Sequence, residues 1–310
     1  HGIGLAINLF TKEGDRILVP SPTYRPFRML VEFNGRVFGD HPLGYDNGKY
    51  YLDKERFEKD ASESSMILFC SPHNPSGLVF TEDELKFVLE TGKKYNIPVI
   101  SDEIHSDLVH PNAHHTPMGK ANEGIGAKVI TLMAPSKTFN VAGEHSAIIL
   151  FSDSDMQKTF QEKQQGLWLT EPGFLIGELT QVCYQDGLEY NLELCAYLEG
   201  NAELAKHYLE DHVPGVRMVD GKASFVTFLD CSGIYEKVKK EVEGNPEKYQ
   251  GGNGGGILSR FFGVNAGIAM NDGTWFGEQY KEFCRFNYGT TRDRVLDALK
   301  RIEKAVKSLG

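Results

Sequence analysis

The stretch Met133-Ala-Pro-Ser-Lys-Thr-Phe-Asn-Val-Ala-Gly143 decides how the rest of this sequence is interpreted. It overlaps the end of Lys128-Val-Ile-Thr-Leu-Met133, a β-branched and apolar run that predicts a buried strand. Lys137 therefore stands just beyond the end of a strand, where open α/β sheets bind their ligands. An amine held there, partly away from water, can lose its proton and form a Schiff base with an aldehyde. Taken alone, Lys137 is better explained as a surface lysine in a polar turn, because most lysines are exposed.

Two further polar clusters change that interpretation. Ser71-Pro-His-Asn-Pro-Ser-Gly77 follows the apolar run Ser65–Cys70, and Ser101-Asp-Glu-Ile-His-Ser-Asp-Leu108 follows Ile97–Ile100. The carboxyl ends of parallel strands meet at one edge of a sheet. Three polar clusters at three predicted strand ends therefore indicate one site.

The order of the predicted elements gives the fold class. Strands and helices alternate as far as Phe151, which predicts an α/β fold with a mostly parallel sheet and helices on both faces. One helix start is marked by a capping box at Thr81-Glu-Asp-Glu84.

The pattern changes after Ser152. It is helical from Met156 to His212, strand-like at Ala223–Leu229 and Glu282–Asn287, and helical again from Arg292 to Leu309. We predict a large domain at 1–199 and a smaller α+β C-terminal domain at 200–310. The glycine-rich loop 251–256 lacks the strand and helix that flank a dinucleotide-binding loop, so it is interpreted as a linker.

Composition excludes several classes of protein. The net charge of −10 and the sequence pI of about 5.5 argue against nucleic-acid binding. No apolar run reaches the roughly 20 residues of a membrane span, and no signal peptide is visible. Five scattered cysteines without CxxC spacing argue against a disulfide framework or a zinc site, and they favour a reducing, cytoplasmic setting.

The beginning of the chain is unusual. It opens on His1, and the apolar residues Ile3, Ala6, Ile7 and Phe10 already have helical spacing with no capping residue before them. A helix that buries one face so close to the terminus suggests that an N-terminal segment is missing.

The three clusters contain what a pyridoxal 5′-phosphate site requires. The cofactor needs a lysine for covalent attachment and a carboxylate that keeps the pyridine nitrogen protonated. It also needs a donor near the ring oxygen, an aromatic ring over its face, and an arginine for the substrate carboxylate. The candidates, in that order, are Lys137, Asp102, Asn74, Tyr24 and Arg285. Individually each has a structural explanation, since an aspartate after a strand is often a turn residue and Tyr24 could simply be packing. Together they are specific for a pyridoxal 5′-phosphate site.

These motifs resemble those of the fold-type I pyridoxal-phosphate enzymes of the class I/II aminotransferase group. The similarity covers nearly the whole chain, and the branch it resembles most is that of the cystathionine β-lyase-like C–S lyases. The motifs that carry it are Ser21-Pro-Thr-Tyr24, Pro72–Gly77, Ser101–His105, Ser136–Asn140 and Arg285-Phe-Asn287.

The resemblance implies a role for each residue. Lys137 would carry the cofactor and transfer protons, Asp102 would pair with the pyridinium nitrogen, Asn74 would bond the ring oxygen and Tyr24 would stack on the ring. Arg285 would bind the substrate carboxylate. His105 is the signal for the lyase branch, because many aminotransferases of this group have a tyrosine there. A histidine that supports the site without catalytic duty is an equal alternative.

The phosphate-binding residues depart from the family pattern. The family often has a serine three residues before the lysine and an arginine eight after it, where this chain has Ala134 and His145. Ser136 and His145 are the candidates that would replace them. The family's glycine-containing phosphate loop precedes the helix with which this chain begins.

The resemblance therefore predicts β-elimination of a thiol from an L-cysteine conjugate, with pyridoxal 5′-phosphate as cofactor and a homodimer with composite active sites. An aminotransferase acting on an L-amino acid is the alternative. A regulator or binding protein that keeps the fold without catalysis is a third possibility.

Overall fold

The computed structural model describes residues 1–169, 173–250 and 255–310. Most of the predicted glycine-rich linker, residues 251–254, lies outside the described residues, as do residues 170–172 within the predicted helical region. The α-helices are α1 (Gly2–Phe10), α2 (Arg25–Phe33), α3 (Lys54–Ser62), α4 (Glu82–Lys94), α5 (Met118–Ala121), α6 (Ser154–Gly166), α7 (Phe174–Asp186), α8 (Leu188–His212), α9 (Ser232–Gly244), α10 (Ile257–Ala266) and α11 (Arg292–Lys307). The strands are β1 (Arg16–Ser21), β2 (Val37–Pro42), β3 (Gly44–Asp46), β4 (Lys49–Tyr51), β5 (Met66–Cys70), β6 (Val99–Asp102), β7 (Val129–Met133), β8 (Ile148–Phe151), β9 (Arg217–Met218), β10 (Val226–Asp230), β11 (Asn271–Asp272) and β12 (Phe283–Asn287).

A six-stranded sheet forms the first part of the molecule. Its strand order is β2-β1-β5-β6-β7-β8, and only β8 runs antiparallel to its neighbour. Cys70 pairs with Asp102, so β5 and β6 end at the same level. The predicted mostly parallel sheet is confirmed, and its carboxyl edge carries all three polar clusters.

Helices cover both faces of this sheet, as predicted. Alternate residues of the strands enter two separate cores: Leu68 and Ile130 face α1, α2 and α6, whereas Ile67 and Val129 face α3, α4 and α5. The strands are buried on both sides, which explains why they appear in the sequence as nearly continuous apolar runs. The Thr81–Glu84 capping box at the start of α4 is confirmed in both of its hydrogen bonds.

The second part of the molecule has its own sheet and core. The antiparallel sheet β11-β12-β10-β9 packs with α8, α9, α10 and α11 around buried residues such as Leu209, Phe262 and Leu299. The predicted strand at Ala223–Leu229 begins three residues later, at Val226, because Ser224 adopts a left-handed conformation with φ of +74°. The predicted helical region from Met156 to His212 consists, in its described part, of α6, α7 and α8.

One hairpin was not predicted. Strands β3 and β4 pair through Asn47 and Gly48, which both have positive φ, the backbone that a tight hairpin turn requires. Among the described residues, no helix is long and apolar enough to cross a lipid bilayer.

Candidate active site

Two strand ends of the parallel sheet and β12 of the second sheet bring four of the predicted residues together, namely Asp102, His105, Lys137 and Arg285. Asp102 is the last residue of β6, His105 follows it by one turn, and Lys137 follows the end of β7. The charge on Lys137 is close enough to lower the pKa values of both Asp102 and His105. Arg285, from β12 of the second sheet, also lowers the pKa of His105 and interacts with Tyr24. The two parts of the molecule therefore meet at His105.

The Asp102 carboxylate is strongly perturbed. The pKa of Asp102 is raised to about 6, chiefly by burial and also by the neighbouring charge of Glu103, while a hydrogen bond from Ile104 N–H at 3.1 Å and the charge of Lys137 oppose the rise. Desolvation disfavours the charged form of a carboxylate unless a cation accompanies it. The site therefore has a carboxylate that would gain from an additional positive charge beside it.

The loop after β5 contains unpaired polar atoms. Ser71 Oγ, His73 Nε2 and Asn74 Oδ1 are buried and have no hydrogen-bond partner among the described residues. Ser71 N–H donates to Asp102 O at 3.0 Å, which joins this loop to the end of β6. Buried polar groups are rarely left without partners in native proteins, so three in one loop indicate a place for a polar ligand.

The turn that carries Lys137 is held from two sides. Thr138 donates its hydroxyl to Asp107 Oδ2 at 3.2 Å, and the Phe139 ring stacks on Tyr190 of α8 with centroids 5.7 Å apart. Gly187, between α7 and α8, lets Phe139 approach closely, because a Cβ there would lie 2.4 Å from the ring. No hydrogen bond or ion pair engages Lys137 Nζ among the described residues. The amine is thus held in place by its neighbours but left available.

A cavity of about 490 Å³ opens beside this lysine. Its wall combines the Lys137 turn, one face of α8 and the end of β12, and the residues that line it include Lys137, Thr138, Tyr190, Tyr197, Phe225 and Asn287. Binding sites for small molecules typically have this size and this mixture of aromatic and polar groups.

His105 is a buried imidazole. Its pKa is lowered to about 3, chiefly by burial and also by the charges of Lys137 and Arg285, which favours the neutral ring. Its Nδ1 lies 3.2 Å from Ser224 Oγ, and its ring packs edge-on against Phe225 with centroids 5.8 Å apart. The histidine is therefore held by the segment just before β10.

Arg285 is positioned by its own sheet. It donates to Asn271 Oδ1 at 2.6 Å across the β11–β12 pair, and its guanidinium lies 5.4 Å from the centroid of the Phe276 ring. Burial lowers the pKa of Arg285 from its ordinary value, although the group remains a cation. A partly buried guanidinium of this kind is suited to binding a carboxylate through two hydrogen bonds.

The remaining candidates are less enclosed. Tyr24 is the N-cap residue of α2 and is 38% exposed, with its ring edge-on to Phe27. Ser136 is partly buried, whereas His145 is exposed and ends a short 3₁₀ helix at Ala142–Glu144 with a φ of +51°. No hydrogen bond or ion pair among the described residues joins His145 to the other candidates. The phosphate-binding roles of Ser136 and His145 stay predictions.

Comparison with known proteins identifies the family. The family model described as aminotransferase class I and II matches residues 1–302. The chain belongs to this family. Class I/II family members that are similar to it include the cystathionine beta-lyase PatB of Bacillus subtilis, which is 31% identical over 98% of this chain and 75% of its own length. The cystathionine beta-lyase of Corynebacterium glutamicum is also 31% identical, over 97% of this chain and 74% of its own. Among solved structures, cystalysin of Treponema denticola, which contains pyridoxal 5′-phosphate, has a TM-score of 0.87 and 26% identity, and covers 100% of this chain and 75% of its own.

The class I/II family depends on pyridoxal phosphate, and the site described here fits the ring and the aldehyde of that cofactor. The available Lys137 amine would engage the aldehyde, the desolvated Asp102 carboxylate would engage a cationic ring nitrogen, and the Asn74 side-chain amide would donate an N–H to the ring oxygen. Among the described residues, no group of three potential metal ligands is clustered.

Three residues of the site were not predicted from the sequence. Ser224 contacts His105, Asn271 contacts Arg285, and Asp107 contacts the Lys137 turn through Thr138. Asp107 could have been found, because it lies inside the Ser101–Leu108 cluster. The other two depend on how the second sheet meets the first, for which the sequence contains no local signal.

Proposed function

We propose that this chain is a pyridoxal-phosphate-dependent C–S β-lyase. Its substrates would be L-cysteine conjugates such as L-cystathionine, and its products a thiol, pyruvate and ammonia. The observation that carries the proposal is that Lys137, Asp102, His105 and Arg285 lie together at the carboxyl edge of the parallel sheet. The chain that contains them is 31% identical to two cystathionine beta-lyases.

The residues of the chain would divide the work. Pyridoxal 5′-phosphate, when bound, supplies an aldehyde for the substrate amine and a ring that accepts the electron pair released at the α-carbon. Asp102 would keep the positive charge on the ring nitrogen, and Asn74 and Tyr24 would hold the ring in place. Arg285 would bind the α-carboxylate of the substrate and so orient its α-carbon toward Lys137.

Lys137 would carry out the proton transfer. Its amine takes the proton from the α-carbon, and the bond between the β-carbon and sulfur then breaks with its electron pair leaving on sulfur. The proton on Lys137 is available to neutralise the thiolate. Addition of one water to the remaining three-carbon fragment yields pyruvate and ammonia, which balances the reaction.

The contribution of Arg285 is testable by one conservative substitution. We expect Arg285→Lys to raise KM for L-cystathionine by roughly tenfold or more, because a point charge does not reproduce the two parallel hydrogen bonds of a guanidinium. Steady-state kinetics measure the effect. Arg260→Lys, on α10 and away from the site, is the matched control. An unchanged KM in Arg285→Lys would place Arg285 outside the substrate pocket.

An aminotransferase is the alternative function, and the two differ after the α-proton has left. An aminotransferase returns a proton to the cofactor and keeps the amine, so without a keto-acid acceptor it stops after one equivalent. A lyase forms pyruvate continuously. We favour the lyase because Asp102-Glu-Ile-His105 resembles that branch, and because two cystathionine beta-lyases are each 31% identical to this chain.

The deciding experiment follows pyruvate and free thiol from L-cystathionine in the absence of a keto acid. Continuous release of both supports the lyase. A stop after one equivalent, without free thiol, would assign the chain to the aminotransferases. Absence of both cofactor binding and turnover would favour a protein that keeps the fold without catalysis.

We also propose that the active form is a homodimer. Phe174, Leu175, Leu188 and Leu192 on α7 and α8 expose 80%, 76%, 66% and 62% of their surfaces. Leu188 and Leu192 lie four residues apart and so on one face of α8, and exposed apolar side chains of this size are typical of protein interfaces. This surface adjoins the Lys137 turn, because Phe139 packs on Tyr190 between Leu188 and Leu192. A second copy of the chain is therefore a partner that would also complete the active site.

Substitution of this apolar surface tests the dimer. We expect the double variant Leu188→Glu with Leu192→Glu to be monomeric by light scattering and to lose most of its turnover, because two buried charges would oppose association. Phe33→Glu is the control, since Phe33 on α2 is 79% exposed and lies outside the surface. An active wild-type monomer would contradict the proposal.

Two smaller predictions complete the description. The five cysteines are free and buried, which supports a cytoplasmic location. The predicted domain boundary between residues 199 and 200 falls inside α8 and stays a prediction.

A further inference from the structure

Ser224 has an unusual backbone for a residue with a side chain. Its φ of +74° lies in the left-handed region that favours glycine, yet the residue is 1% exposed. Such outliers persist only where the surrounding structure enforces them, and they concentrate at functional sites.

The backbone around Ser224 explains why the conformation is kept. Ser224 N–H donates to Leu108 O at 2.7 Å, and Ser224 O accepts from the Tyr288 hydroxyl at 2.9 Å. Two residues along each of the same two segments, His110 N–H donates to Lys222 O at 2.9 Å. These bonds attach the start of the second sheet to the segment that follows His105. Glycine would satisfy all of them without strain, so they do not account for the serine side chain.

The side chain has one contact that a glycine could not make. Ser224 Oγ lies 3.2 Å from Nδ1 of His105. The Ser224 hydroxyl can donate to this nitrogen or accept from it, so the contact fixes the orientation of the imidazole ring whichever nitrogen carries the proton. Among the described residues, His105 Nε2 has no hydrogen-bond partner of its own, so this nitrogen is left for whatever occupies the space between Lys137 and Arg285.

We propose that Ser224 is a positioning residue that holds the His105 ring in one orientation. The inference rests on the proposed function for its effect on turnover, but its structural content concerns the protein alone. His105 lies near both the proton-transferring lysine and the arginine for the substrate carboxylate. A ring free to rotate would present the wrong nitrogen part of the time.

Paired substitutions separate the hydroxyl from the backbone. Ser224→Gly removes the hydroxyl and relieves the backbone, so its melting temperature should be equal to or above that of the wild type. Ser224→Ala removes the same hydroxyl but retains the Cβ, so it should melt below Ser224→Gly. Asn47→Gly in the β3–β4 hairpin, where φ is +48°, is the control for relief of a positive φ away from the site.

The ring itself is observed in cofactor-free protein by nitrogen NMR of labelled histidines. Among the ten histidines, His105 is assigned from its absence in His105→Gln. In the wild type the His105 Nδ1 resonance should have the chemical shift of a hydrogen-bonded nitrogen, and in both Ser224 variants that shift should change because the bond is lost. With cofactor and L-cystathionine, both variants should have kcat reduced roughly tenfold, the effect of about one hydrogen bond, with Asn47→Gly unchanged.

Each outcome decides the proposal. An unchanged Nδ1 shift in Ser224→Gly overturns it, and so does a wild-type kcat in a variant whose Nδ1 shift has changed. A kcat that falls while the Nδ1 shift stays the same assigns the effect to another route and also overturns it. If the wild type itself has no turnover, the proposed function fails, while the NMR measurement still establishes whether Ser224 holds His105.

Discussion

Replacing Lys137 with alanine is expected to abolish covalent capture of pyridoxal 5′-phosphate and to reduce turnover of L-cystathionine by about four orders of magnitude. The amine of Lys137 is the one that lies near both Asp102 and His105, and it is not engaged by a hydrogen bond or ion pair among the described residues. The variant would lose both the attachment point and the base that we propose for the α-proton. Borohydride trapping followed by peptide mapping measures the first loss, and pyruvate release measures the second.

Two control variants make this experiment specific. Lys137→Arg keeps the positive charge and much of the bulk, but a guanidinium does not lose its proton, so it should be as inactive as the alanine variant. Lys128→Ala removes an exposed lysine just before the same strand and should retain both label and turnover. A trapped cofactor on a lysine other than Lys137 would overturn the assignment, as would a trapped cofactor in Lys137→Ala.

The part of the site that lies on the parallel sheet was predictable from the sequence. Asp102, His105 and Lys137 each follow a short, doubly buried strand, and such strands appear as apolar runs that end abruptly in polar residues. The rule that parallel strands end at one edge then brings the residues together without any long-range information. For the same reason the mostly parallel sheet and the two helix layers agree with the prediction.

The part contributed by the second sheet could not be obtained in this way. Arg285 is a candidate only because the cofactor chemistry requires an arginine for the substrate carboxylate, since an arginine inside an antiparallel strand has no local mark of its role. Asn271 acts through its pairing with Arg285, and that register is set by the whole sheet. The contact of Ser224 with His105 depends on a positive φ at Ser224. A serine in the sequence, unlike a glycine, does not predict that backbone conformation. In each case the decisive contact joins residues that are far apart in the chain.

Asp102→Asn is expected to have the second-largest effect on turnover, a decrease of about three orders of magnitude or more. The change removes the negative charge that favours a protonated ring nitrogen, which is needed for the ring to accept the electron pair from the α-carbon. It preserves shape, because the amide oxygen can still accept the bond from Ile104 N–H. Asp153→Asn, which alters another carboxylate that accepts a backbone N–H, should leave turnover unchanged. Wild-type activity in Asp102→Asn would make Asp102 a turn residue only.

The same substitution should have the opposite effect on the stability of the cofactor-free protein. Burial raises the pKa of Asp102 from 3.8 to about 6, so the folded state binds this proton more tightly than the unfolded state does. The wild type therefore loses stability as pH rises from about 4 to about 6, up to about 3 kcal/mol, and Asp102→Asn does not. The variant should melt above the wild type at pH 8 and equal it below pH 4.

Cofactor should reverse the order at pH 8, because a cation beside Asp102 stabilises the ionised carboxylate and the neutral amide gains nothing from it. Thermal melts with and without cofactor at both pH values measure this, and an Asp102→Asn protein that is less stable than the wild type at pH 8 without cofactor would contradict the assignment.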